Sequence, residues 1–282
     1  MLRRLFNYLL DVRDRQRVGI ALSKGAATMG ARDIDLTRPD TWEFSGFSQN
    51  GEDGILDILR KRLNSRNRYF IEIGAADGIE NNSAWLVVAE KYNGIMIEGN
   101  SELVERARRS VIGLSIGAEC HQMFVTIDTV QNIKKLSLYA NPDIISLDID
   151  GNDYYIAEEI FKVGFRPKIF VVEYNSVYGP DQSITIEYKP DFVFTSAHDT
   201  HLYYGVSISG WRNFFEKHNY HFVTVDQNGV NAFFVDPCCF DAEFLDRIQG
   251  VTFVENQSQY KKFRVPWKQQ FTLIEDQIFV AI

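Results

Sequence analysis

The stretch ISLDIDGNDYY, residues 145–155, places Asp148, Asp150 and Asp153 where an apolar run ends. Carboxylates at the end of a buried strand must be solvated, paired or bound to a cation, because an isolated charge in apolar surroundings is strongly destabilising. Side chains alternate along a strand, so Asp148 and Asp150 share one face. KIFVVEYN, residues 168–175, is a second apolar run with a polar end, and there Glu173 and Asn175 share a face. Two adjacent parallel strands therefore deliver Asp148, Asp150, Glu173 and Asn175 to one sheet edge. Groups gathered in this way repel one another unless something positive sits among them. A hard divalent cation such as Mg2+ or Ca2+ takes oxygen ligands of this type, and Asp150, Glu173 and Asn175 are its expected ligands. The competing reading makes Asp150 and Asn152 a turn, Asp153 a helix cap and Glu173 the partner of a base.

A second chemical stretch is EIGAADG, residues 72–78. A strand that turns through Gly74 and Gly78 lets backbone N–H groups approach a ligand, while Glu72 at the strand end can accept hydrogen bonds from it. The spacing E-x-G-x-x-x-G is not the G-x-G-x-x-G of a dinucleotide site. Together with the lack of a Tyr-x-x-x-Lys pair, this disfavours a nicotinamide-dependent oxidoreductase. Glu98 closes the neighbouring run GIMIEGN, residues 94–100, where an acidic side chain can take both hydroxyls of a ribose. One strand end supplies a glycine turn and its neighbour a ribose clamp, a pairing suited to a nucleoside-bearing cofactor.

Strand-like runs alternating with helical patterns must position these groups. RYFIEIG (68–74) reads as the first strand, NSAWLVVAEKY (82–92) as its helix and GIMIEGN as the second strand. SELVERARRS (101–110) reads as a helix capped by Ser101 with Glu102 behind it, and VIGLSIG (111–117) as a weaker third strand. DIISLDID (143–150) and KIFVVEYN flank the helical DYYIAEEIFKVGF, so they should be parallel neighbours. Asn228-Gly229, between two strand-like runs in residues 220–236, is a hairpin signal. The fold class is α/β and Rossmann-like: a mostly parallel seven-stranded sheet ending in an antiparallel hairpin, as in class I methyltransferases. Residues 1–45 form an amphipathic helical extension, 46–236 the Rossmann-like domain with a substrate loop at 176–206, and 237–282 a carboxyl-terminal extension packed on the domain or on a partner subunit.

Several stretches taken in order carry a family resemblance: FSQNGEDGIL (47–56), FIEIGAADGIENNSAWL (70–86), YNGIMIEGN (92–100), PDIISLDIDGNDYYI (142–156), VVEYN (171–175) and VNAFFV (230–235). They resemble the FkbM-type branch of S-adenosylmethionine-dependent methyltransferases. The resemblance implies S-adenosylmethionine as cofactor and O-methylation of a sugar or related hydroxyl in polysaccharide or natural-product assembly. On that pattern Glu72, Gly74 and Asp77 surround the methionine part, Glu98 holds the ribose, and Asp148 belongs to the cofactor side. SQNGED, with Gln49 and Glu52, covers the cofactor. Read from its residues alone, SQNGED is a helix start capped by Ser48 or Asn50, with Asp53 completing a box from Asn50. DIDGNDYY with EYN departs from the usual form of the family and is closer to metal-dependent macrolide-sugar O-methyltransferases, in which Mg2+ binds two neighbouring hydroxyls and lowers the pKa of one.

A hydroxyl that is methylated must lose a proton. His198 and His201, in SAHDTHLYYG (196–205), lie in the longest stretch without periodicity, and a histidine near neutral pKa is a suitable base beside Asp150. Tyr178, Tyr188, Tyr203 and Tyr204 on the same loop offer rings for a sugar to stack on, while His121, His218 and His221 read as packing residues.

The formal charge of −8 disfavours nonspecific nucleic-acid binding, yet residues 1–32 alone carry about +5. That basic amphipathic start could meet an anionic membrane surface, or pack on the domain or a second subunit in a homo-oligomer. Three cysteines, two of them adjacent, fit no disulfide framework and no zinc spacing, so a reducing, cytoplasmic setting is expected. A noncatalytic nucleoside- or sugar-binding module and a metal-independent methyltransferase are the rival functions.

Overall fold

The computed structural model describes the backbone of residues 2–282 and side chains from Tyr8 onward. The chain begins with a long helix, α1 (Leu2–Gly30). It seats Asp14, Val18, Ala21 and Gly25 against the domain, a spacing of three and four residues that forms one helical face. Gly25 permits the contact, since a Cβ there would stand 2.5 Å from the Trp85 ring. Helix α2 (Glu52–Arg62) leads into β1 (Tyr69–Ile73), and α3 (Ala84–Val88) into β2 (Asn93–Glu98). Then come α4 (Ser101–Arg109), β3 (Ala118–Gln122), α5 (Val130–Leu136), β4 (Ile144–Leu147), α6 (Asp153–Lys162) and β5 (Ile169–Glu173).

Strands β6 (Ile184–Ile186), β7 (His221–Val225), β8 (Asn231–Val235) and β9 (Phe279–Ala281) complete the set. The main sheet has the order β3-β2-β1-β4-β5-β8-β7. Every pairing from β3 to β5 is parallel, and β8 runs antiparallel to both β5 and β7. This is a Rossmann-like α/β arrangement, a mostly parallel seven-stranded sheet ending in an antiparallel hairpin that turns at Gly229, φ +74°. Its central strands are buried on both faces, which explains runs such as IFVVE that lack polar alternation. Phe70, Met96 and Val171 face the layer holding α1, α2 and α4. Ile71, Ile95 and Phe170 face α5, α6 and α8 (Ile208–Lys217).

Residues 176–206 and the carboxyl-terminal segment build a small annex together. β6 pairs antiparallel with β9, and Tyr178, Ile186, Leu202 and Ile274 form a separate buried cluster beneath them. The third strand lies one step later than the sequence pattern indicates. Residues 112–114 are a helical turn and Ile116 is fully exposed, whereas residues 118–122 pair with β2. The helix expected over 82–92 shrinks to α3, because the Asn81 carboxamide caps Ser83 and Ala84 and the chain leaves the helix again at Ala89. Asn100, not Ser101, caps α4 by accepting from the N–H groups of Glu102 and Leu103. All three cysteines are free. No helix among the described residues is long and apolar enough to cross a membrane.

Candidate functional site

A cavity of about 750 Å³ opens at the carboxyl edge of the parallel sheet, where open α/β folds bind their ligands. One wall is the turn after β1. Gly74 stands at φ +90°, and a Cβ there would lie 1.5 Å from the Asp148 carbonyl oxygen, so no other residue fits this crossing of the two strand ends. Glu98, at the end of β2, accepts from the Ala76 N–H at 2.9 Å and from the Asn100 N–H at 2.8 Å. Its carboxylate thereby holds the glycine turn and faces the cavity at once.

Glu72 is 2% exposed. Its Oε1 accepts from the Asn82 N–H, while Oε2, buried in the cavity wall, has no partner. Burial pushes this carboxyl up to about 7. An orphaned acceptor of this kind is suited to an ammonium group.

The second wall is acidic. Asp148, Asp150 and Glu173 each offer an oxygen, all within 4.8 Å of one another. The loop between β4 and α6 is set by Asp153, whose carboxylate accepts from the N–H groups of Ile149 and Gly151 at 3.0 and 2.8 Å. Asp150 consequently adopts a left-handed conformation, φ +52°, with its side chain in the cavity wall. Burial, and then the charges of Asp150 and Asp153, push Asp148 up. Burial, followed by the charges of Asp148 and Asp150, does the same to Glu173, and the two carboxyls share a hydrogen bond. Asp150 is exposed on the cavity surface, and its partial desolvation within the cavity, followed by the charge of Asp153, raises it to about 6. Among the described residues no lysine or arginine enters this group, so the donor set and its mutual repulsion fit a hard cation.

Gln49 and Glu52 also line the cavity. Glu52 accepts from the N–H groups of Asn50 and Gly51 and from the Asn231 amide, so it holds one loop against the hairpin. Asp53 does not form a box with Asn50. It accepts from the N–H groups of Gly46, Phe47 and Ser48, while its own N–H donates to Ser48 Oγ.

Four of the expected site residues lie outside the cavity wall. Asp77 does not line the cavity. It is paired with Arg17 of α1 and Arg106 of α4, which outweigh the effect of burial and hold its carboxyl below the usual range. Asn175 is not free to serve as a ligand, because its oxygen caps Val177 and its amide donates to the carbonyls of Leu202 and Tyr204. His198 bonds Thr200 at 2.8 Å and His201 packs on Phe194, and neither belongs to the cavity wall. The loop over residues 176–206 contributes Phe192 and Val193 instead, with the Phe192 ring against Gly151. None of the loop tyrosines lines the cavity: Tyr178 and Tyr203 are buried with their hydroxyls on backbone carbonyls, Tyr204 is buried behind the wall and its hydroxyl donates to Glu173 Oε1 at 3.4 Å, and Tyr188 lies edge-on to Tyr155. Asn231 is a wall residue that the sequence does not single out. Its only sequence signal is a strand pattern, and the antiparallel register that sets it opposite Glu173 is a tertiary fact.

The chain matches no family model and no curated protein. Among solved structures it is similar to an O-methyltransferase from Bacillus cereus in complex with S-adenosylhomocysteine, at 18% identity over 78% of this chain and 89% of that one, with a TM-score of 0.43. It is also similar to the O-methyltransferase TomG from Streptomyces achromogenes, at 19% identity over 76% of this chain and 87% of that one, with a TM-score of 0.44. A methyltransferase from Podospora anserina bound to S-adenosylhomocysteine has 12% identity over 77% of this chain and 87% of that one, with a TM-score of 0.45.

Proposed function

We propose that this chain is an S-adenosylmethionine-dependent O-methyltransferase acting on a hydroxyl of a saccharide or glycoconjugate, assisted by a divalent cation. The observation that carries the reading is one cavity with two chemically distinct walls. Gly74, the orphaned Glu72 oxygen and Glu98 suit a nucleoside joined to an amino acid, and Asp148, Asp150 and Glu173 line the same cavity beside them. Support for a saccharide comes from the FkbM-type resemblance and from the unpartnered amide oxygen of Asn231 in the same wall.

S-adenosylmethionine would supply the electrophilic methyl group and the cation Lewis acidity toward a hydroxyl. Glu98 takes the ribose hydroxyls and Glu72 the ammonium. Glu173 orients the acceptor hydroxyl, and Asp150 receives its proton as the C–S bond breaks and the C–O bond forms. With both histidines outside the wall, the base is a cavity carboxylate: Asp150 stands in the acidic group at the acceptor end, whereas Glu72 is taken by the ammonium.

The test is calorimetric titration of S-adenosylmethionine and S-adenosylhomocysteine with and without Mg2+, repeated for Glu98→Ala and Asp150→Ala. Micromolar binding lost in Glu98→Ala supports the cofactor assignment, and a Mg2+ dependence lost in Asp150→Ala supports the cation. No binding in any condition refutes the methyltransferase reading, and binding without turnover of any hydroxylated acceptor favours a recognition module.

A further inference from the structure

The cavity wall contains seven carboxylates and seven side-chain amides, and no lysine, arginine or histidine among the described residues. Nearby cations are already engaged. Arg17 pairs with Asp77 and Glu80, and Arg106 with Asp14 and Asp77. Lys189 of the substrate loop is exposed outside the wall and contributes only its backbone, through the Asn152 amide.

Asn231 sharpens the point. A carboxylate can only accept, so the Asn231 Nδ2 donating to Glu52 Oε1 at 2.8 Å fixes which way the amide faces. Its Oδ1 is left buried without a partner, on a residue 4% exposed and paired in register with Glu173. At the acceptor end, therefore, the wall offers acceptors that need donors. A phosphate or carboxylate there would meet like charge, with none of the guanidinium or ammonium groups that normally bind it.

Resting on the methyltransferase reading, we infer that the acceptor is a neutral or amine-bearing polyol carrying neither phosphate nor carboxylate. Phosphosugars, nucleotide sugars and uronic acids find no cationic side chain in this wall, whereas neutral glycosides and aminosugars find carboxylates and an amide oxygen to donate to. The same field favours positive charge where the methyl group meets the acceptor.

The experiment compares S-adenosylhomocysteine, neutral at sulfur, with sinefungin, which carries an ammonium where the methyl-bearing sulfonium stands, by calorimetry in chelator at low salt. Sinefungin is expected to bind at least about tenfold tighter, with the gap narrowing as salt rises. Equal affinities, or tighter binding of S-adenosylhomocysteine, overturn the inference and leave the methyltransferase reading standing. Binding of neither ligand overturns both. A methylation panel of methyl glucoside, glucosamine, glucose 6-phosphate and glucuronate adds a second arm, in which faster turnover of either anion than of its neutral parent overturns the inference.

Discussion

Glu72 is buried with one oxygen unpartnered, and the proposed function gives that oxygen to the cofactor's ammonium, so replacing it by glutamine should strengthen the free protein while weakening cofactor binding. The carboxyl titrates at about 7 in the fold against an ordinary 4.5. At 1.36 kcal/mol per pH unit this displacement corresponds to about 3 kcal/mol of destabilisation once the group is forced to ionise. Because the folded pKa is the higher one, the folded protein holds the extra proton. The penalty is absent below pH 4.5, grows through the window and is complete above about 7. Glutamine keeps an oxygen for the Asn82 N–H and carries no charge. Glu72→Gln should therefore melt roughly 5–10 °C higher than the wild type at pH 8, and close to it at pH 4.5. It should also bind S-adenosylhomocysteine about 10- to 100-fold more weakly, through loss of a charged hydrogen bond to the ammonium. Differential scanning calorimetry at both pH values and titration calorimetry at pH 8 read the two effects. A melting temperature that falls, a gain independent of pH, or unchanged affinity would each refute the reasoning.

Three further outcomes are expected. Gly74→Ala, which drives a Cβ into the Asp148 carbonyl at φ +90°, should cost about 3 kcal/mol or more in denaturant unfolding and abolish S-adenosylhomocysteine binding. His198→Ala and His201→Ala should leave kcat/KM within about twofold of wild type, since neither ring lines the cavity, and a loss of a hundredfold would restore histidine as the base. Burial raises Glu43 to about 8 and both Asp53 and Asp226 to about 7, so stability gained below their ordinary values is lost as pH rises through these numbers. The urea midpoint should accordingly be lower at pH 8.5 than at pH 5.5, and a midpoint that rises over this range would contradict the assignment.

Where local chemistry and one structural period decide, the sequence was legible. Apolar runs ending in Gly, Asn or Asp marked β1, β2, β4 and β5, and Asn228-Gly229 marked the hairpin, because strand periodicity and positive-φ turns are properties of a few adjacent residues. The meeting of Asp148, Asp150 and Glu173 was legible for the same reason, since alternation along two neighbouring parallel strands suffices to bring them together. β3 was misplaced because VIGLSIG and AECHQ are both plausible strands, and only pairing with β2 chooses between them.

Tertiary structure decided the rest wherever a side chain had to choose among partners far apart in the chain. Asp77 looked like a cofactor ligand until α1 brought Arg17 to it from 60 positions away. Asn175 looked like a metal ligand until the returning loop offered two carbonyls to its amide. His198 and His201 looked like bases until the loop put Phe192 and Val193 in the wall instead. The sequence determined which groups end the strands, whereas the packing of α1, the substrate loop and the hairpin determined which of them remain free. A polar side chain is available for chemistry only when no nearer partner satisfies it, and that is a property of the whole fold.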